Sequence, residues 1–252
     1  VLILVPLRFI EIATTRRGRD AGKRFASQYE EMETPMSASE DRCRLVLILP
    51  DLADDAALVE QLSAALEGGD VASVIVPQYD LAEQAFQTRA EKLVPIIQDA
   101  GAAAMICGDT RVAGRAKADG LHITGPLEEL GEAIEKFTPK LMVGAGAAAD
   151  RHKALEVGEL RPDYIFFGKL DGDIKPEAHP KNVALGEWWS SMVEIPCIVM
   201  GGTDVSSAVT VAESGAEFVA MRLGVFSHAE GPRAAVAHIN ASLDEKAPRF
   251  DA

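Results

Sequence analysis

The residues best suited to chemistry sit at the ends of short apolar runs. Ile195-Pro-Cys-Ile-Val-Met-Gly-Gly-Thr203 closes on Gly201 and Gly202. Two missing side chains there either let backbone N–H groups approach a ligand, a phosphate above all, or serve only a tight turn. The next apolar run, Phe218 to Met221, leads into Arg222 and Gly224. That guanidinium either meets a phosphate or pairs with one of the chain's many carboxylates. Gly168-Lys-Leu-Asp-Gly-Asp-Ile-Lys-Pro176 is the densest mixture of Gly, Asp and Lys. Lys169 and Lys175 can neutralise a phosphate as point charges on flexible stems, or they are ordinary solvated residues. In Gly108-Asp-Thr-Arg111, Asp109 is either a ligand for a hard cation such as Mg²⁺ or the N-cap of a following helix. His122, flanked by Leu121 and Ile123, is either an inward imidazole facing a ligand or a satisfied core histidine. No nucleophile elbow and no clustered His/Glu metal motif is present.

These stretches are punctuation in a regular alternation. Strand-like runs are Arg44–Leu49, Ser73–Val76, Ala103–Cys107, Gly120–Ile123, Leu141–Val143, Tyr164–Phe167, Cys197–Met200 and Phe218–Met221. Each is followed by a helical pattern, the last being Pro232–Leu243, and Pro95 should kink or split the helix spanning Leu81–Ala100. Eight strand–helix pairs in one run predict an α/β fold, a single (β/α)₈ TIM barrel over residues 41–252. In such a barrel the loops after the strands carry the chemistry, and phosphate groups sit after the last two. Leu49-Pro-Asp51 stands where a dinucleotide glycine fingerprint would begin, which argues against a Rossmann sheet.

A formal net charge of −14 argues against nucleic acid and anionic membrane as partners, since both require a cationic face. An anionic substrate would then depend on backbone N–H groups, a few local cations or a metal. Cys43, Cys107 and Cys197 lie far apart within or beside apolar strands, which suits buried thiols of a reducing, cytoplasmic protein. No apolar run reaches membrane-spanning length. Residues 1–40 show no periodicity: an apolar start, then an Arg-rich stretch, then acidic residues before Met36. They read as an extension without a fold of its own, preceding the barrel.

Taken in order, Ala100-Gly-Ala-Ala103, Cys107-Gly-Asp-Thr-Arg-Val-Ala-Gly-Arg-Ala-Lys-Ala-Asp-Gly-Leu-His122, Pro162-Asp-Tyr-Ile-Phe-Phe-Gly168, Ile195 to Gly202 and Ser214-Gly-Ala-Glu-Phe-Val-Ala220 resemble the thiamine phosphate synthase/TenI family from about Arg44 to Ala241. The resemblance implies a TIM barrel that joins a pyrimidine pyrophosphate to a thiazole phosphate with Mg²⁺, releasing pyrophosphate, or a TenI-like thiazole tautomerase. Its partner would be a phosphorylated heterocyclic small molecule, with assembly as a homo-oligomer left open. It implies catalytic roles for Lys175 and His122, a phosphate site at Gly201, Gly202, Arg222 and Gly224, and Mg²⁺ held weakly through Asp109 and substrate. The departures are as specific as the matches. The family's Gln-x-Arg-x-Lys cations after the second strand are missing from Ile75-Val-Pro-Gln-Tyr79, and its second metal aspartate falls near Leu127, beside Glu128. The loop after the fifth strand, Gly144 to Ala149, lacks both the family serine and the tautomerase histidine. A non-catalytic paralogue that binds thiazole or thiamine phosphate is therefore the alternative.

Overall fold

A computed structural model describes residues 41–146 and 148–250; the expectation for residues 1–40 lies outside them. The elements run β1 (Arg44–Ile48), α1 (Asp55–Leu66), β2 (Ser73–Pro77), α2 (Glu83–Asp99), β3 (Ala103–Cys107), α3 (Thr110–Ala116), β4 (Gly120–Ile123), α4 (Leu127–Phe137), β5 (Met142–Ala145), α5 (Arg151–Glu159), β6 (Tyr164–Phe167), α6 (Pro180–Ser190), β7 (Cys197–Met200), α7 (Ser207–Ala212), β8 (Phe218–Met221), α8 (Leu223–Phe226) and α9 (Gly231–Lys246). All eight strands are parallel and close into a barrel in sequence order, β8 pairing β1 from Arg44↔Phe218 to Leu47↔Met221.

Strand periodicity divides the apolar residues between two cores. Leu45, Leu47, Val74, Val76, Ala104 and Ile106 point outward and pack under the helices. Val46, Ile48, Ile75, Met105, Phe166 and Met200 fill the lumen. Two glycines make room for the largest lumen side chains. A Cβ at Gly120 would sit 2.5 Å from Met105 Cε, and one at Gly144 would fall inside the Tyr164 ring.

The rim at the strands' N-terminal ends is sealed by charge. Arg44 donates from Nε and Nη2 to the Asp70 carboxylate at 2.8 and 2.9 Å, both partners being buried. Arg42, also buried, reaches Asp244 and Asn240 on α9. At the opposite rim Asp54, Asp109 and Asp150 cap helices by accepting from backbone N–H groups.

The structure narrows one expectation and adds one element. Pro95 does not split its helix; α2 continues through it to Asp99. Pro95 is exposed while Leu93, Val94 and Ile97 are buried, so water can serve the carbonyl that lost its donor. After β8 the chain forms the short helix α8 before α9, an element that the periodicity did not reveal. No helix among the described residues is long and apolar enough to cross a membrane.

Candidate active site at the carboxyl ends of the strands

Barrel closure brings the ends of β6, β7 and β8 together. The β7 loop lies against the start of α8, since a Cβ at Gly224 would sit 3.1 Å from the Gly202 carbonyl oxygen and 3.2 Å from that of Thr203. Gly201, Gly202, Arg222 and Gly224 therefore share one corner of the mouth, the corner that barrels use for phosphate. Lys175 comes to it through its backbone: its carbonyl accepts from Thr203 N at 2.8 Å, and the Pro176 carbonyl accepts from Asp204 N at 3.1 Å. Gly202 N donates to Ser207 Oγ at 2.9 Å, and Gly201 N donates to the Ala220 carbonyl. In this conformer the loop's donors are thus spoken for by the chain itself.

Of the two alternatives for Arg222, the structure shows the carboxylate. Its Nε and Nη2 donate to Asp173 Oδ1 at 2.9 and 2.7 Å, and Leu223 N donates to Asp173 Oδ2 at 2.6 Å. The Asp173 side chain is fully buried. The Arg222 guanidinium is pulled down by burial, but the Asp173 hydrogen bonds and charge prevail and raise its pKa. Tyr79 lies beside it: burial pushes the phenol up, and the guanidinium pulls it partly back. The Tyr79 hydroxyl donates to the Leu49 carbonyl at 2.7 Å, and the residue adopts a left-handed φ of 47°.

Across the mouth, Pro77, Gln78, Tyr79, Cys107, Gly108, Thr124, Leu170 and Asp171 line a pocket of about 400 Å³. None of these residues is a cation. Burial pushes the Cys107 thiol up to about 11, partly offset by its hydrogen bond with Thr124. Asp109 stands next to this pocket, its N–H bonded to Gln78 Oε1 at 2.9 Å. Its carboxylate caps α3 through Arg111 N and takes the Arg111 guanidinium at 2.6 Å. The Arg111 hydrogen bonds lower its pKa to about 2.

His122 is in the lumen, beneath the mouth. Its Nδ1 is 2.8 Å from the Tyr164 hydroxyl, and its ring stacks on Tyr164 and meets Phe166 edge-on. Nε2 faces Gly146, whose Cβ would lie 2.5 Å away, and has no hydrogen-bond partner among the described residues. Burial lowers the imidazole pKa to about 3, so the ring is neutral at physiological pH. The structure thus gathers Gly201, Gly202, Arg222, Gly224 and the Lys175 backbone at one corner, with Asp109 beside Gln78 and His122 against Tyr164 in the lumen. Sequence reasoning passed over Asp173 and Ser207. Asp173 was one carboxylate among several in a polar loop, and Ser207 read as part of a helix start. The adjacency of Asp173 to an arginine 49 residues away has no local signature.

The thiamine monophosphate synthase family model matches residues 45–225. The chain belongs to that family. It is 35% identical over 201 residues to a thiamine-phosphate synthase of Rhodospirillum centenum, covering 79% of this chain and 96% of the relative. It is 32% identical over 212 residues to one of Hyphomonas neptunium, covering 82% and 96%. Among solved structures, thiamine phosphate pyrophosphorylase from Pyrococcus furiosus superposes with a TM-score of 0.68 at 22% identity, over 82% of this chain and 98% of that one. A 3-hexulose-6-phosphate synthase superposes at 0.62 with 19% identity; at this level both show the shared barrel.

Of the residues expected to meet the family's magnesium, Asp109 has its carboxylate engaged by Arg111. No group of three or more His, Cys, Asp or Glu side chains able to hold a metal occurs among the described residues.

Proposed function

We propose that this family member acts in thiamine biosynthesis by coupling a hydroxymethylpyrimidine pyrophosphate to a thiazole phosphate, with release of pyrophosphate. The observation that carries the reading is the corner where Gly202, Arg222 and Gly224 meet, in a chain matched to thiamine-phosphate synthases over nearly their whole length. Gly201, Gly202, Arg222 and Gly224 are assigned to the thiazole phosphate. The pocket of Gln78, Tyr79 and Thr124 takes the pyrimidine. Lys175, on the loop between the two, is assigned to the departing pyrophosphate. Neutral His122 holds Tyr164 in the floor of the site and carries no charge to the reaction. Three buried free thiols suit a reducing compartment such as the cytoplasm.

A second reading has its own observation. No cation lines the pyrimidine pocket, and charge-assisted contacts are worth about 1.5–3 kcal/mol each. Lacking two such contacts to the leaving group, the site would stabilise the departing anion less by about 3–6 kcal/mol, or roughly 10²- to 10⁴-fold in rate. This favours a non-catalytic protein that binds thiazole or thiamine phosphate. A coupling assay with both substrates and Mg²⁺, run beside calorimetric titration of thiamine phosphate and of the pyrimidine pyrophosphate, separates the two. Turnover with both ligands bound supports the synthase. Binding of thiamine phosphate alone, without turnover, leaves the binding protein.

A further inference from the structure

The loop from Lys169 to His179 holds the phosphate corner as a ligand would. Asp173 puts a fully buried carboxylate on the Arg222 guanidinium and on Leu223 N–H. Two residues on, the carbonyls of Lys175 and Pro176 take the N–H groups of Thr203 and Asp204. A negative charge and two carbonyl oxygens thus occupy the donors that converge around Gly202. Each is what a phosphate monoester would bring, namely an anion with several acceptor oxygens.

The middle of the loop is seated on little else, while its ends are anchored by Leu170 against the lumen core and by Ala178 in the outer core. Its outer side borders a cavity of about 550 Å³ lined by Gly172, Ile174, Lys175, Glu177, Ala178 and His179, among others. Ile174, the neighbour of fully buried Asp173, is 79% exposed, an apolar side chain for which the docked loop provides no seat. Gly172 sits between Asp171, on the wall of the pyrimidine pocket, and Asp173. One short segment therefore touches both halves of the mouth, is pinned by polar contacts and lies beside empty space.

We propose that residues 169–179 form an autoinhibitory strap, in which Asp173 and the Lys175 and Pro176 carbonyls stand in for a phosphate group and must be displaced before a phosphate monoester can bind. Displacement frees the guanidinium of Arg222 and the N–H groups of Thr203, Asp204 and Leu223 together. It also moves Lys175 and Asp171, so loading of the phosphate end reshapes the pyrimidine pocket. The inference rests on the functional reading above for the identity of the phosphate ligand, but not for the existence of the strap.

The test uses the full chain, with hydrogen exchange read by mass spectrometry and titration of thiamine phosphate and of inorganic phosphate. In the parent protein, saturating ligand should raise exchange over 172–179 at least fivefold while protecting 202–204. This arm needs no substitution. Asp173→Asn removes the charge and keeps one acceptor; it should raise strap exchange about tenfold and tighten phosphate binding at least fivefold. If ligand protects the strap and the Gly202 loop together, or if Asp173→Asn weakens binding, the strap is a binding element and the proposal fails. It fails likewise if neither chain binds either ligand. Release of the strap by inorganic phosphate, with thiamine phosphate inert, would uphold the strap and overturn the assigned substrate.

Discussion

Gly202→Ala puts the corner proposed for phosphate under direct strain. The added Cβ would lie 2.6 Å from the carbonyl carbons of Pro176 and Glu177, and closer still to the Pro176 oxygen, where real Cβ atoms essentially never come within 3.0 Å. These are backbone atoms and cannot swing aside as a side-chain tip can, so the strap itself must retreat. The contacts it loses can be counted. A retreat of about 1 Å takes the Thr203–Lys175 and Asp204–Pro176 bonds, now 2.8 and 3.1 Å, beyond hydrogen-bonding length. At about 1 kcal/mol net for each, the variant is destabilised by about 2 kcal/mol. For a domain of this size that lowers Tm by about 4–8 °C.

The ligand effect separates this variant from Asp173→Asn. Both unseat the strap, but the alanine methyl fills the space that the phosphate needs, whereas the asparagine vacates it. Gly202→Ala should therefore lower Tm and weaken thiamine phosphate binding by at least a hundredfold. Gly202→Val should abolish that binding. Differential scanning fluorimetry and calorimetry on the same preparations read both quantities. A Gly202→Ala protein with parental Tm and parental affinity would refute the reasoning at its base, because it would mean that Gly202 faces neither the strap nor the ligand.

At the opposite rim, Asp70→Asn leaves the buried Arg44 charge without its carboxylate; it should cost about 3–5 kcal/mol in urea unfolding, with little change in ligand affinity. His122, neutral in the fold with a pKa near 3 against about 6.5 in the unfolded chain, gives the unfolded state the extra proton between those values. Stability should accordingly rise with pH across that window, by up to about 1.4 kcal/mol per unit, and His122→Gln should flatten the slope measured by urea unfolding from pH 6.5 to 4. The Asp109 carboxyl, with a pKa near 2, should titrate upward toward its ordinary range in Arg111→Ala by NMR. The pair's contribution to stability is present above pH 4 and lost as pH falls through 2, and it is small because Arg111 is exposed. Calorimetry should also show that Mg²⁺ binds the free parent protein weakly and the Arg111→Ala variant more tightly, since the substitution releases the aspartate.

What was legible in the sequence follows from the range of the physics involved. Strand alternation and helix periodicity are local, and the eight strands fall within two residues of their expected bounds at either end. The glycines of the β7 loop were legible as a place of close approach, which at Gly202 is made by the Pro176 and Glu177 backbone. Charged partners were not, because a pair such as Arg222–Asp173 is set by barrel closure across 49 residues and every carboxylate of an acidic chain is a candidate. The same limit explains Asp109. Its type and position suit a metal ligand, but a neighbour two residues away, Arg111, claims the carboxylate, and only coordinates show that its guanidinium folds back rather than out. The two pairings act in one direction: each places an internal counter-charge on a group that the family resemblance assigns to substrate or metal. A site that satisfies its own charges is stable without ligand, and a ligand must supply more than those internal contacts to bind. On the proposed reading, the corner around Gly202 would meet that condition for a group with several acceptor oxygens, which would replace what Asp173, Lys175 and Pro176 provide. The pocket around Gln78 would not, because it offers an anion no free cation in exchange, and the substrate with the larger charge is therefore the one that this protein should hold less tightly.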